Sequence, residues 1–248
     1  MNMKKYVMTI ASIIVIATSI SVQAMGFKED PLGEELILVA EKNDLQKARS
    51  LLAQGVNVNY QNKDGRTALM EAAFSNSTDV AQLLINAGAN VNLQNHLGGT
   101  ALISSAIKNS KDVVPLLIKA KANLDLQNIS GFTALIMAAF NNSKDVVQML
   151  INAGAHLNLQ RHDEETALMV AVFYNYKDVT QMLINAGASL VMKNYNDETA
   201  YDIAQAEGNT ELAQMLKEAE IAFKGSRFVD VQKRMQQIGT SDMGFKFE

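Results

Sequence analysis

Histidine and acidic side chains are the residues of this 248-residue chain that come nearest to a catalytic or metal-binding set. His96 and His162 stand at the same position of two equivalent segments, with one further segment between them. With helices packed at about 8–10 Å, their imidazoles lie on the order of 20 Å apart and cannot share a zinc ion, whose bonds are about 2 Å long. Asp163, Glu164 and Glu165 follow His162. This run has the composition of a metal site, but a solvated loop with charged tips is the simpler interpretation.

Motifs of nucleotide-binding and hydrolytic enzymes are missing from the sequence. It has no Gly-rich phosphate loop, no Gly-x-Ser-x-Gly and no His-Glu-x-x-His. It also has no cysteine, which excludes disulfides, thiolate metal sites and a cysteine nucleophile. We therefore predict a protein that is not an enzyme and that carries no cofactor and no metal. The net charge of −4 gives no electrostatic reason to expect nucleic acid as a partner.

The N-terminal stretch 1–24 forms a segment of its own. Two lysines, Lys4 and Lys5, precede an apolar run over residues 6–20, and short side chains follow at residues 22–24. This layout predicts a secretory signal peptide cleaved after Ala24. An uncleaved anchor helix is the alternative, although the run is short for the roughly 20 residues that span a bilayer. We expect an exported chain, periplasmic or secreted, whose mature form does not associate with a membrane.

Two sequence markers recur along the chain at an interval of 33 residues. The pair Thr-Ala begins at Thr67, Thr100, Thr133, Thr166 and Thr199. The run Ile-Asn-Ala-Gly-Ala begins at Ile85, Ile151 and Ile184, with a degenerate copy at Ile118. Because both markers keep one register, the sequence is built from repeated units, and each unit is one supersecondary structure that needs its neighbours to bury its apolar face.

The residues of one unit predict two short antiparallel helices followed by an extended loop. Thr67 suits a helix N-cap, and the small residues Ala72 and Ala73 let a neighbouring helix approach closely. Asn76 suits the left-handed turn between the helices, Ser77 the cap of the second helix, and Gly88 its end. We therefore predict an all-α fold, a solenoid of about six helix pairs with extended loops.

The pattern Gly-x-Thr-Ala-Leu-x-x-Ala-Ala, followed by Val-x-x-Leu-Leu-x-x-Gly-Ala-x-Val-Asn, resembles the ankyrin repeat over about residues 34–222. The family's Thr-Pro-Leu-His is replaced by Thr-Ala-Leu and an apolar residue such as Met70 or Ile103. Losing that histidine removes a polar network between neighbouring repeats, so we expect apolar packing to provide more of the stability. The composition, rich in Asn, Lys and Ile, resembles exported ankyrin chains of host-associated bacteria.

The chain divides into four parts on this interpretation. They are a signal peptide at 1–24, a linker at 25–33, the ankyrin domain at 34–222, and an amphipathic helix with a flexible tail at 223–248. Within the domain we expect caps at about 34–62 and 195–222 and repeats at about 63–95, 96–128, 129–161 and 162–194. The apolar face of the tail, Phe228, Val231, Met235 and Ile238, is expected to pack on the last repeat, with a coiled-coil contact as the alternative.

The unit 96–128 is irregular. Pro115 falls inside its expected second helix, where proline removes a backbone donor. Lys121 replaces the glycine that ends this helix in other units. Sequence drift and a softened, hinge-like segment both explain these departures.

The resemblance implies that partners bind beside the loop glycine and just after the Ala-Ala pair of each repeat. The corresponding residues here are Lys63, Arg66, Phe74, His96, Ile107, Ile129, Phe132, Phe140, His162, Asp163, Glu165, Phe173 and Tyr174. Among them, Phe74, Ile107, Phe140 and Phe173 form a ladder at one repeat position, which is either an exposed apolar stripe or part of the core. The charges change from basic at Lys63 and Arg66 to acidic at Asp163 and Glu165. They either orient a partner of opposite polarity or are ordinary solvated charges.

We predict from these patterns a monomeric interaction module that binds a protein on its concave face. A self-associating structural or assembly protein is the alternative, and a secreted effector directed at a host cell is a variant of the first hypothesis.

Overall fold

The computed structural model describes residues 30–224. The predicted signal peptide at 1–24 and the apolar face of the tail at Phe228, Val231, Met235 and Ile238 lie outside these residues. Within them, eleven helices are complete, a twelfth runs from 210 to 224, and no strand occurs. The first helices of the pairs are α1 (Pro31–Glu41), α3 (Ala68–Phe74), α5 (Ala101–Lys108), α7 (Ala134–Phe140), α9 (Ala167–Phe173) and α11 (Ala200–Ala206). The second helices are α2 (Leu45–Ala53), α4 (Thr78–Asn86), α6 (Val114–Lys119), α8 (Lys144–Asn152), α10 (Lys177–Asn185) and α12 (210–224).

The helices form two layers, which confirms the predicted all-α solenoid. The first helices pack on one another along the array, and α1, α3, α5, α7 and α9 each pack on the second helix of their own pair. Contacts between second helices join α2 to α4, α6 to α8 and α8 to α10. Small residues such as Ala72, Ala106 and Ala139 are fully buried between the first helices. Leu84, Leu117 and Leu150 fill the space between the layers. The core is therefore continuous from one pair to the next.

The predicted start of each first helix is confirmed. The hydroxyl oxygens of Thr67, Thr100 and Thr133 accept hydrogen bonds of 3.1–3.2 Å from the backbone N–H three residues later, and Thr166 and Thr199 act in the same way. The predicted left-handed turn is also confirmed, because φ lies between 52° and 58° at Asn43, Asn76, Asn109, Asn142 and Asn175.

The serines before the second helices do not cap them as predicted. The Ser143 hydroxyl donates instead to the carbonyl of Ala106 in the preceding repeat, at 3.0 Å, and Ser77 and Ser110 make the equivalent bonds. For α4 and α8 the cap comes from the turn asparagine one repeat earlier. Asn43 accepts from the N–H of Val80 at 3.2 Å and Asn109 from the N–H of Val146 at 3.4 Å, and each also donates to the carboxylate of the aspartate before that valine. Asn76 accepts from the N–H of Asp112, in the turn before α6, at 3.2 Å and donates to its carboxylate at 2.7 Å.

A glutamine in each loop makes a second set of bonds between repeats. The side-chain amides of Gln61, Gln94, Gln127 and Gln160 each donate to a carbonyl in their own loop and to the carbonyl at the equivalent position of the next repeat. Asn59, Asn92, Asp125 and Asn158 accept backbone N–H bonds of 2.7–2.9 Å from the following repeat. These side chains supply a polar network between repeats that was not predicted from the sequence, alongside the apolar core.

The irregular unit keeps its place in the stack with a shorter second helix. Helix α6 has six residues, whereas α4, α8 and α10 have nine. Pro115 lies in the first turn of α6, not in its interior as predicted, and there its missing N–H has no helical acceptor to lose. Lys121 takes the left-handed conformation at φ 61°, as its glycine-like position requires.

The ends of the helical array differ slightly from the predicted boundaries. Helix α1 begins at Pro31, inside the predicted linker, with Asp30 as its N-cap. Helix α12 continues past residue 222 to the last described residue. None of the helices described in residues 30–224 is long and apolar enough to cross a bilayer.

Candidate partner-binding surface

Two positions of the repeat meet on one side of the first helices in the units 63–95 and 129–161. They are the residue before the capping threonine and the last residue of the first helix or its neighbour. In the unit 63–95 these are Arg66 and Phe74, and in the unit 129–161 they are Phe132 and Phe140, whose ring centroids are 5.8 Å apart. We call these positions, together with the adjoining loop tips, the inner surface. It carries the predicted site residues.

The N-terminal cluster of this surface consists of Arg66, Glu71 and Phe74. The Arg66 guanidinium contacts the Glu71 carboxylate at 2.5 Å and lies 5.8 Å from the centre of the Phe74 ring. The Lys108 ammonium lies 5.0 Å from the same ring, on the side of the next repeat. Because the Arg66 side chain is 36% exposed, water screens this cluster.

The aromatic cluster consists of Phe132, Phe140, Phe173, Tyr174 and Tyr176. Phe140 contacts Tyr174 edge to face at 5.2 Å, and Phe173 contacts Tyr174 in the same way at 5.0 Å. Tyr174 and Tyr176 stack at 5.7 Å. Phe132, Phe140, Tyr174 and Tyr176 are half-buried, so each keeps part of its ring accessible. The cluster spans the units 129–161 and 162–194.

Arg161 joins the aromatic cluster to the acidic loop beside it. Its guanidinium lies 5.0 Å from the centre of the Phe132 ring, and Nη2 contacts Asp163 and Glu165, each at 2.6 Å. Only 12% of this side chain is exposed. Sequence reasoning missed Arg161, although a signal was present. The other loops have asparagine here, whose side-chain oxygen accepts N–H bonds within its own loop, as Asn128 does from Phe132 at 2.9 Å.

Burial dominates the electrostatics of both clusters. It raises the pKa of Glu165, and the attraction of Arg161 for the carboxylate opposes this rise only in part. Burial likewise raises the pKa of Glu71 against the opposing effect of Arg66. The pKa of the Tyr174 hydroxyl is also raised by burial. Each glutamate is thus held close to an arginine in a setting that disfavours its charge.

The ladder of residues at the end of the first helices is neither an exposed stripe nor uniform core. Ile107 is exposed, Phe74 and Phe140 are half-buried, and Phe173 is buried with 8% of its surface exposed. Glu165 is buried as well, at 5%. Phe173 and Glu165 therefore support the surface from below and do not present a side chain to a partner. The remaining predicted residues at the loop tips, Lys63, His96, Ile129, His162 and Asp163, are exposed.

The loops beside the aromatic cluster carry an excess of negative charge. Asp163, Glu164, Glu165, Asp197 and Glu198 are accompanied by two cations, Arg161 and Lys193. Glu164 and Asp197 adopt the left-handed conformation, with φ 62° and 64°, at the position where three earlier loops have Gly65, Gly98 and Gly131. A glycine would adopt it at lower cost, so these carboxylates are placed there against a local preference.

Within residues 30–224 no group of three or more His, Cys, Asp or Glu side chains could hold a metal ion. A cavity of about 310 Å³ lies between α11 and α12, lined by Tyr201, Gln205, Gly208, Thr210, Ala213, Gln214 and Lys217. None of the aromatic-cluster residues lines it. The arrangement is suited to binding a macromolecule along a surface.

Comparison with known proteins agrees with this geometry. A family model described as ankyrin repeats in three copies matches residues 23–95 and 82–161, and a second, described as ankyrin repeats in many copies, matches residues 142–184. The crystal structure of an ankyrin repeat domain from Acinetobacter baumannii AYE is 28% identical in sequence, with a TM-score of 0.69. The similarity covers 75% of this chain and 97% of that domain. Among curated proteins, no sequence matches this chain.

Proposed function

Because the chain belongs to the ankyrin-repeat family, we propose that it is a protein-binding module whose partner docks on the inner surface, with the aromatic cluster as its anchor. Ankyrin repeats are interaction modules, and the described residues offer no competing enzymatic site. The observation that carries the proposal is the row of half-buried rings at Phe132, Phe140, Tyr174 and Tyr176.

The chemistry of this row is that of a binding hot spot. Tyrosine and arginine are enriched among residues that contribute most to protein association, and they cluster where water is excluded. Tyr174 is held in place by Phe140 and Phe173, so little side-chain freedom is lost when a partner covers it.

A double variant, Phe140→Ala with Tyr174→Ala, tests this proposal. Phe173 is left unchanged because it is buried and its replacement would disturb the fold. Proteins captured by the wild-type chain are identified by mass spectrometry, and the affinity of the identified partner is then measured for each variant. Removing two anchoring rings at about 2 kcal/mol each is expected to weaken binding by a factor on the order of a thousand, with helicity close to normal.

Phe223→Ala is the matched control. Phe223 is an aromatic residue that is 58% exposed on α12, a second helix outside the inner surface. We expect it to retain the affinity. If the double variant binds as tightly as the wild type, or if Phe223→Ala loses as much affinity, the aromatic cluster is not the anchor.

Self-association is the second candidate function. It is favoured by the exposed apolar side chains near the end of α12, where Ile221 is 63% exposed. Sedimentation at several concentrations separates the two functions. A monomer at every concentration supports the binding module, whereas a mass that rises with concentration supports assembly.

Export is also part of the proposal and rests on the N-terminal sequence alone. The basic start, the apolar run and the short residues before Ala24 favour cleavage and release into the periplasm or beyond, with delivery into a host cell as a variant. The intact mass of the protein recovered from each cell fraction tests it. A full-length chain confined to the cytoplasm would contradict export.

A further inference from the structure

We propose that the segment bound by the aromatic cluster is basic, an extended stretch of a partner protein that presents arginine or lysine side chains to the rings and to the acidic loops beside them. This inference rests on the proposed function, because it names the chemical class of partner for the same surface.

The first support is the excess of carboxylates at this end of the inner surface. Asp163, Glu164 and Asp197 stand exposed at the loop tips, and Glu198 lies half-buried before Thr199, where it accepts from Asn194. The ion pairs in this region are those of Arg161 with Asp163 and Glu165 and of Lys193 with Asp197. The Asp163 side chain remains 48% exposed in its ion pair. A carboxylate that keeps part of its surface in contact with water can accept further bonds from a basic partner.

The second support is that the site already binds one guanidinium. Arg161 lies against the Phe132 ring and contacts two carboxylates. An aromatic face with carboxylates beside it is the arrangement that recognises arginine, through cation–π attraction and charge-assisted hydrogen bonds. Tyr174 and Tyr176 add two further stacked rings to the cluster, and the neighbouring loops add the carboxylates of Glu164, Asp197 and Glu198.

The third support is the contrast with the other end of the inner surface. There the cations Lys63, Arg66 and Lys108 outnumber the acids Asp64 and Glu71, and two of the cations lie over the Phe74 ring. A basic segment is therefore favoured at the acidic end over the N-terminal end, which gives it a preferred location along the array. The acidic end also disfavours nucleic acids and anionic membranes, because both carry the same sign of charge.

Three synthetic peptides test the class of partner. They are about 12 residues long, enough to span roughly 40 Å when extended, and share a frame of Leu, Gly and Ser. They differ at four positions, which hold Arg in the first, Gln in the second and Glu in the third. Affinities for the full chain are measured by fluorescence anisotropy. We expect the Arg peptide to bind about tenfold more tightly than the Gln peptide and the Glu peptide to bind least, with an advantage that falls as salt is added.

Two loop variants locate the effect. Asp163→Asn combined with Glu164→Gln removes two carboxylates beside the aromatic cluster, and Asp64→Asn removes the acid at the repeat position equivalent to Asp163, near the N-terminal cluster. We expect the first variant to lose the preference for the Arg peptide and the second to keep it. Circular dichroism is recorded for both, so that a folding defect is recognised.

The outcomes separate this inference from the proposed function. If the Gln peptide binds as tightly as the Arg peptide and Phe140→Ala with Tyr174→Ala abolishes both, the preference for a basic partner is wrong and the docking site stands. If the Arg peptide binds equally well to the aromatic double variant, the docking site is wrong. If none of the three peptides binds, or if Asp64→Asn loses the preference as well, the basic-partner inference is overturned.

Discussion

An arginine, a glutamate and a phenylalanine meet twice on the inner surface, once in each half of the array. Arg66, Glu71 and Phe74 all belong to the unit 63–95. In the second cluster, Phe132 and Arg161 belong to the unit 129–161, and Glu165 belongs to the next one. The side chain of Arg66 is 36% exposed, and that of Arg161 is 12% exposed.

The comparison shows that residue types alone do not determine what a cluster contributes. In the first cluster the three side chains belong to one repeat, and water screens the attraction between Arg66 and Glu71. In the second they bridge two repeats, exclude most of the water, and have the aromatic cluster packed beside them. We therefore expect the second cluster to matter for the coupling of repeats and the first to matter mainly for the charge of the surface.

Replacement of each arginine by alanine gives the largest expected difference. Arg161→Ala leaves Glu165 buried without its cation and is expected to cost about 3 kcal/mol, as for a buried ion pair that loses one partner. Arg66→Ala is expected to cost less, about 1 kcal/mol, because Glu71 is buried but Arg66 is 36% exposed and water screens the pair. Urea unfolding of the two variants and the wild type measures both. Equal losses would show that the difference in burial has no energetic consequence.

Double-mutant cycles compare the two clusters through the coupling energy between arginine and phenylalanine, which is expected to be a smaller effect. Arg161→Met and Phe132→Leu, singly and together, are expected to show a coupling of about 1 kcal/mol. The cycle with Arg66→Met and Phe74→Leu is expected to give about half of that value, because the arginine is solvated and Lys108 remains over the ring. A larger coupling in the N-terminal cluster would contradict the ranking.

The pH dependence of stability is expected to show the smallest effect. The pKa of Glu165 is raised in the folded state, so its contribution to stability is fully present below the ordinary carboxyl pKa and is lost as pH rises through the raised pKa. Glu165→Gln removes this loss. Its stability relative to the wild type should therefore increase between pH 4 and pH 7.

Glu71→Gln is the companion variant, because the pKa of Glu71 is raised for the same reason. The same direction of change is expected, and unfolding measured at several pH values compares the two. A relative stability that falls with rising pH in either variant would mean that the arginine, and not burial, dominates that carboxylate.

Local features of the fold could be predicted from the sequence because they depend on local conformation. A threonine before a short apolar helix predicts a cap, and an asparagine between two helices predicts a left-handed turn, whatever the rest of the chain does. Bonds between repeats could not be predicted in the same way. That Asn76 reaches Asp112 follows from the distance between two loops, which the spacing of residues along the chain does not specify.

The candidate site was predictable in its location and less so in its details. Phe74 and Phe173 share one repeat position, yet the first is half-buried and the second is buried, since Tyr174 packs against the second and Ser75 follows the first. The only sign of Arg161 in the sequence is that the other loops have asparagine at its position. Its contact with Phe132, which belongs to the preceding loop, required the three-dimensional stacking of the loops.

The loop glutamines Gln61, Gln94, Gln127 and Gln160, which we call the glutamine ladder, have a consequence for the number of repeats in the array. Each side-chain amide donates to the backbone carbonyl at the equivalent position of the next repeat, and the series ends at the carbonyl of Lys193. A whole repeat unit inserted between Gln94 and Gln127 would accept one such bond and donate another, so the splice would leave no amide or carbonyl of the ladder unpaired. Gain or loss of entire units is thus an easy evolutionary step for this protein, whereas a change of a few residues within a unit would break the series on both sides.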